Sequence, residues 1–451
     1  MLIWTTPERR PAATIAALGL FFGIAYGASL LWLAKPGGRI VYGDGLHHYV
    51  QLRSMVFDRD LRFTNEYLRL YGLTPQTVDS ETRWVIETNA TGHIRNLMPV
   101  GPALLWTPAF LLTSCGVWVA DRFGASYALD GYGRLFQASA AFSGVAAATF
   151  GAWFAFLAAS ALFRPRSAIW ATLMIWLGSS AIYYSVISPT YSHAASMCAV
   201  SAFWCVWIRT QEQQSLGRYA FIGALAGVAA LMRWQDGVLL LVPMIEAVWR
   251  RTPRSAAARM IVSAAAAVLA FVPQMIVWQR LYGHAFTIPQ GAAFMRWTQP
   301  AGWSVLFSDN HGLFTWTPVI AVAVVGLVPL WRRAPVVAAT SSSFLLMSWY
   351  VNASVADWWA GEAFGARRFV ACFPVFVLGA AAVFDQWHAR PQRIQIVTLG
   401  FVALAFLLLV QYQTFMHGAR DIAPYPRGIY GLWLARFRVP IDLAHRWLMR
   451  L

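Results

Sequence analysis

Ala12-Ala13-Thr14-Ile15-Ala16-Ala17-Leu18-Gly19-Leu20-Phe21-Phe22-Gly23-Ile24-Ala25-Tyr26-Gly27-Ala28-Ser29-Leu30-Leu31-Trp32-Leu33-Ala34 contains no charged residue and follows directly on Arg9 and Arg10. As a helix rising about 1.5 Å per residue, a run of this length reaches across a hydrocarbon layer of about 30 Å. The paired arginines place the N-terminal side in the cytoplasm by the positive-inside rule. No small-residue cleavage site follows, so the segment is read as an anchor and not as a removed signal peptide.

Comparable apolar runs recur along the chain. Hydrophobic residues make up 58% of it against 12% charged, with a mean hydropathy of +0.51, more apolar surface than a soluble globule could cover with polar groups. The composition predicts an all-α polytopic inner-membrane protein. Pro99 to Ala120 is apolar but carries Pro99, Pro102 and Pro108. If it crossed, Arg164 and Arg166, which follow the strong run Leu135 to Phe163, would lie outside, so we read it as lying along the surface or re-entering. The alternation then runs through Ala168–Ile187, Ala194–Ile208, Tyr219–Met232, Gly237–Trp249, Ile261–Trp278, Phe314–Leu330, Val336–Val351, Phe369–Phe384 and Ile394–Tyr412. About eleven spans result, some shorter than the usual twenty or so residues.

The reading yields one transmembrane domain over residues 1–451. It has a first extracytoplasmic loop at 35–132 with juxtamembrane helices, further outer loops at 281–313 and 352–368, and an outer tail at 413–451. Polar segments from these loops, with Ser188–His193 and Arg233–Asp236, are expected to converge on one extracytoplasmic cavity. No internal repeat or low-complexity linker is visible.

The formal charge is +16, and Lys35 is the only lysine among 35 basic residues. Arginine forks suit phosphate, although a GC-rich genome would give the same bias. The arginines are scattered between spans, which argues against a nucleic-acid partner. Cys115, Cys198, Cys205 and Cys372 lie in apolar context without metal-ligand spacing.

The first loop is dense in charge: Gly43-Asp44-Gly45-Leu46-His47-His48-Tyr49, then Phe57-Asp58-Arg59-Asp60-Leu61-Arg62-Phe63-Thr64-Asn65-Glu66-Tyr67. The glycines beside Asp44 let the backbone turn sharply and approach a substrate, so its carboxylate is a candidate general base; it equally suits a turn or an N-cap. Leu46 to Phe57 reads as a short amphipathic interfacial helix with His47, Tyr49 and Arg53 available to flank a ligand. Asp58, Asp60 and Glu66 are further acidic candidates, or partners of nearby arginines. Arg233 and Asp236 interrupt an apolar stretch, which marks either a hairpin tip or a wet site, and the topology favours the tip. Arg233 is a candidate phosphate ligand or the partner of Asp236. Arg367 and Arg368 follow Phe364-Gly365-Ala366 as snorkelling boundary cations or as bidentate phosphate ligands. His193 and His311 stand at span ends facing the same side, and Trp358 and Glu362 could line a sugar site. No zinc-protease, nucleotide-loop or serine-hydrolase motif occurs.

The order of these motifs resembles the polytopic GT-C glycosyltransferases. More narrowly, it is similar to bacterial relatives of the dolichyl-phosphate-mannose protein mannosyltransferases and to the lipopolysaccharide-core Rgt-type transferases. The likeness runs from Gly43-Asp44-Gly45 and Asn65-Glu66-Tyr67 through Pro99-Val100-Gly101-Pro102, Ser192-His193-Ala194, Arg233-Trp234-Gln235-Asp236 and His311-Gly312-Leu313-Phe314-Thr315-Trp316 to Phe364-Gly365-Ala366-Arg367-Arg368. It implies inverting transfer of a hexose or pentose from a polyprenyl-phosphate donor to a hydroxyl of a lipid, polysaccharide or protein acceptor, on the extracytoplasmic side. Asp44 would be the base, Arg233, Arg367 and Arg368 would hold the donor phosphate, and His193 and His311 would stand nearby. Many relatives carry adjacent acidic residues in this loop, whereas Asp44 is isolated. The second carboxylate is therefore open, as is a divalent cation, Mg or Mn, the one cofactor the resemblance admits. A transporter or flippase for a lipid-linked or anionic solute is the alternative, weakened by the missing repeat.

Overall fold

Within a lipid layer a backbone N–H or C=O finds a partner only inside its own helix or a closed barrel, so runs of this composition fold as helices. A computed structural model of the chain describes residues 9–32, 39–250, 253–423 and 427–449; Lys35, Arg251 and the opening of the first loop lie outside them. The described chain is all-helical, 73% helix and without a strand. Among the described residues six helices are long and apolar enough to cross a membrane: Arg10–Leu31, Gly101–Arg122, Arg134–Ser160, Ser255–Tyr282, Arg367–Gln386 and Pro391–Met416.

In chain order the first helices are α1 (Arg9–Trp32), α2 (Asp44–Arg53), α3 (Thr64–Tyr71), α4 (Gly101–Arg122), α5 (Arg134–Ser160) and α6 (Pro165–Gly178). Then come α7 (Ser192–Arg209), α8 (Leu216–Met232), α9 (Leu241–Trp249) and α10 (Pro253–Tyr282). The remainder are α11 (Gly302–Phe307), α12 (Leu313–Trp316), α13 (Val319–Val325), α14 (Leu327–Arg333), α15 (Pro335–Ala353), α16 (Phe373–Gln386), α17 (Pro391–Met416) and α18 (Gly428–Leu448).

The Arg367–Gln386 segment is the central strut, 83% buried, whereas α4 and α10 are only 22% buried and turn most of their apolar surface outward. The helix α8 packs along α10 through Gly223 and Gly227, where an added Cβ would collide with the Ser263 and Ala267 carbonyls. Such four-residue spacing of small residues lets two helix backbones approach without a hydrophobic driving force.

Several expectations are corrected. The expected span Phe314–Leu330 is broken into α12, α13 and α14, with Thr317-Pro318 and Gly326 between them. Pro318 and Pro329 supply no N–H to the helical ladder, and the ladder stops near each. Pro99 to Ala120 contains one uninterrupted helix, α4, long and apolar enough to cross despite its prolines. The Arg134 guanidinium nevertheless donates to the Leu30 carbonyl at 2.7 Å, so the chain returns to the end of the bundle at which α1 finishes. The helix expected to lie at an interface is buried at eight of the ten positions of α2. It is covered because Gln51 donates to the Met98 carbonyl at 2.9 Å and Tyr49 to that of Gly131 at 2.6 Å. The tail contains α18, packed on α17. There the buried Arg436 donates to the carbonyls of Thr315 and Trp316, each at 3.3 Å.

Candidate functional site

The Gly43-Asp44-Gly45 turn starts α2 against the Thr190–Tyr191 segment. Gly43 has φ 52°, and a side chain there would meet the Tyr191 hydroxyl, while one on Gly45 would meet Thr190. Glycine is needed at the first position for conformation and at both for space. Asp44 is the first helical residue and its N-cap, Gly43, makes no side-chain cap. Its carboxylate instead accepts from Arg367 Nη1 at 2.8 Å, across 323 residues of sequence. The capping alternative therefore does not describe Asp44.

Arg367 also lies over the Tyr191 ring, with Cζ 5.6 Å from the centroid. Arg368 beside it donates to the Asp357 carboxylate at 2.8 Å and carbonyl at 2.7 Å. Arg233, at the C-cap of α8, is buried and donates to the His193 ring. A ring nitrogen that accepts from a guanidinium carries no proton, so His193 stands neutral there. Asp236 is buried too, accepting from Ser196. Arg233 and Asp236 thus go to different partners, and neither sits at an exposed hairpin tip.

These groups surround one cavity of about 190 Å³, lined by Asp44, Pro99, Ser192, His193, Arg233, Gln235, Gln290, Asp357, Arg367 and Arg368 among others. Three guanidiniums against two carboxylates leave the wall one net positive charge. Gln290 Oε1 in this wall is buried and has no hydrogen-bond partner among the described residues. Next to the cavity runs an apolar groove of about 510 Å³ between α8 and α10, walled by Ala226, Gly227, Ala267, Phe271 and Trp278. Trp234 belongs to both walls.

Of the residues expected from sequence, Asp44, His193, Arg233, Arg367 and Arg368 come together here. His311, with φ 65°, bonds the Trp359 carbonyl through Nδ1 at 2.9 Å, and burial pushes its pKa down to about 4. It braces the loop that carries Trp358 and the exposed Glu362 and does not line the cavity. His47 turns to the Tyr67 hydroxyl at 2.7 Å, and burial lowers its pKa. Its neighbour His48, which sequence reasoning passed over, bonds the Pro99 carbonyl at 2.9 Å, and burial pushes it down to about 4.

Tyr49 is buried against Phe110, and Arg53 belongs to a separate cluster, about 13 Å along the helix from Asp44 by the helical rise. There Arg53 pairs with Asp58 and, at 2.8 Å, with Glu66. Burial pushes the Glu66 carboxyl up to about 7, since Arg53 offsets only part of the desolvation. Asp60 accepts from Ser54 at 2.8 Å. Asp58, Asp60 and Glu66 therefore stand apart from Asp44.

Asp357 and Gln290 lie in the wall and were not singled out from sequence. The available signal for Asp357 was an acid eleven residues before Arg368 in the same short loop. Among the described residues no three His, Cys, Asp or Glu side chains converge as a metal site, and both cavity carboxylates are paired with arginine. Three guanidiniums in one wall oppose a divalent cation, so the residues present do not fit Mg or Mn. The chain matches no protein-family model, and no curated protein matches it.

Proposed function

We propose that the chain is an inverting glycosyltransferase that moves a sugar from a polyprenyl-phosphate donor to an acceptor hydroxyl. The observation that carries the reading is the pairing of a positively charged cavity with an apolar groove, Trp234 belonging to both. A phosphate-linked sugar with a long hydrocarbon tail needs both environments side by side. The about eleven passes, counting the shorter helices, and an extracytoplasmic site belong to this reading.

In the proposed reaction the Asp44 carboxylate takes the acceptor O–H proton as that oxygen bonds to the anomeric carbon. The bond from the anomeric carbon to the phosphate oxygen breaks, and polyprenyl phosphate leaves from the opposite face, so one displacement inverts the configuration. The donor phosphodiester carries one negative charge and the departing monoester approaches two. Protonating Asp44 removes one negative charge from the wall, so the positive field rises as the leaving group needs it. Arg367, which holds Asp44, couples the two events, while Arg368 and Arg233 add fixed donors.

The test is transfer of radiolabelled sugar from a polyprenyl-phosphate donor, in membranes containing the wild type or Asp44→Asn. Loss of turnover by about 100-fold or more is expected for removal of a general base. Normal turnover of the variant would sink the assignment. Label that moves only across sealed vesicles, without covalent transfer in detergent, would establish the carrier instead.

A further inference from the structure

A second cavity of about 610 Å³ lies on the opposite face of α10 from the apolar groove, and its role is unassigned. Pro273, Ile276, Val277 and Arg280 form one side, at the three- and four-residue spacing of a single helix face. The groove uses Ala267, Val268, Phe271 and Trp278 instead. Arg59 and Arg62 come from the loop after α2, and Leu104 from α4.

Three exposed arginines beside an apolar floor point to a ligand. Arg59, Arg62 and Arg280 form no ion pair among the described residues, although Asp60 lies in the same wall. Asp60 is engaged with Ser54 and the Arg62 backbone N–H. Below these cations the floor is apolar and open, with Ile276 56% and Leu104 37% exposed, continuous with the two helices that bury least of themselves.

We propose that this cavity binds a phosphate-bearing membrane lipid, its phosphate held by Arg59, Arg62 and Arg280 and its hydrocarbon chain laid over Leu104 and Ile276. A soluble anion would use the arginines but leave the apolar floor uncovered. A zwitterionic lipid would cover the floor but bring its own cation to the arginines. The proposal does not depend on the transferase reading.

The test is native mass spectrometry of the purified full chain with phosphatidylglycerol or phosphatidylcholine, in wild type, in R59Q/R62Q/R280Q and in R438Q/R446Q. The two arginines of the last variant are exposed and already paired with Asp442 and Asp421. Wild type is expected to retain phosphatidylglycerol over phosphatidylcholine. The triple variant should lose about two orders of magnitude in that retention, at roughly five-fold per arginine beside an anionic lipid. The R438Q/R446Q control should keep it. Equal retention of both lipids, an unchanged triple variant, or displacement by equimolar inorganic phosphate would overturn the proposal. A photoactivatable phosphatidylglycerol gives a second readout on wild type alone: crosslinks at Leu104 or Ile276 are expected, and crosslinks confined elsewhere count against the site.

Discussion

A carboxylate in a partly dry cavity is held in place by what it is paired with, and Asp44 is held by two things: Arg367 and the absence of side chains on either flank. Gly45→Ala would push a methyl into Thr190 and move the start of α2. We expect transfer activity to fall by roughly 100-fold, the size of effect that a 1 Å misplacement of a reacting group produces, beside a stability loss of about 1 to 3 kcal/mol from the overpacked contact. Wild-type turnover in that variant would show that the close approach has no part in positioning Asp44. Glu66 gives a pH-dependent prediction. Burial raises its pKa from 4.5 to about 7, so the folded form binds its proton more tightly than the unfolded chain does. The resulting stabilisation is complete below pH 4.5 and is lost as pH rises through about 7. Thermal unfolding in detergent should therefore show a decline between those values that Glu66→Gln flattens. A decline of equal size in the variant would assign it to another group.

At the scale of the helix, charges buried at the far end of the bundle fix how α7, α8 and α9 dock. Glu246 of α9 accepts from Arg218 of α8 at 3.0 Å and from the Trp207 indole of α7 at 2.7 Å, with side-chain exposures of 2% for Arg218 and none for Glu246. Glu246→Ala leaves a buried guanidinium without its counter-charge and should cost about 3 to 5 kcal/mol, read as a lower denaturation midpoint. A change within experimental error would mean that Arg218 finds another acceptor. Such elements also set how much was legible beforehand. Charges inside apolar stretches are costly enough to stand out in sequence, which is why Arg233, Arg367 and Arg368 could be picked out as candidates. Partner choice was not legible. Arg53, Asp58 and Glu66 share a loop with Asp44, yet the rise of α2 carries them to a separate cluster. Asp357 looked like one more loop acid until its pairing with Arg368 was seen. The buried state of α2 was hidden for a similar reason: its cover, the 98–131 segment, is not adjacent in sequence.

Across the whole molecule, the two ends of the bundle differ in kind. The end holding the cavity collects histidines and aromatic rings around Asp44 and its arginines. At the other end Arg164 pairs with Asp385 at 3.1 Å, Arg333 donates to the Leu162 carbonyl at 3.3 Å and Arg250 donates to that of Gln211 at 2.9 Å. Arginines gathered beside short connecting turns are the residues that the positive-inside rule retains in the cytoplasm. The rule therefore predicts an extracytoplasmic cavity, which is where the proposed lipid-linked donor would be presented at the outer leaflet. In a background with all four native cysteines replaced, Thr77→Cys, exposed in the excursion between α1 and α5, should react with a membrane-impermeant maleimide in intact spheroplasts. Gln213→Cys and Gln392→Cys, exposed at the arginine-rich end, should react only after permeabilisation. The reverse pattern would turn the cavity toward the cytoplasm. The chemistry around Asp44 would survive that result, but the donor would then have to be a cytoplasmic-leaflet lipid.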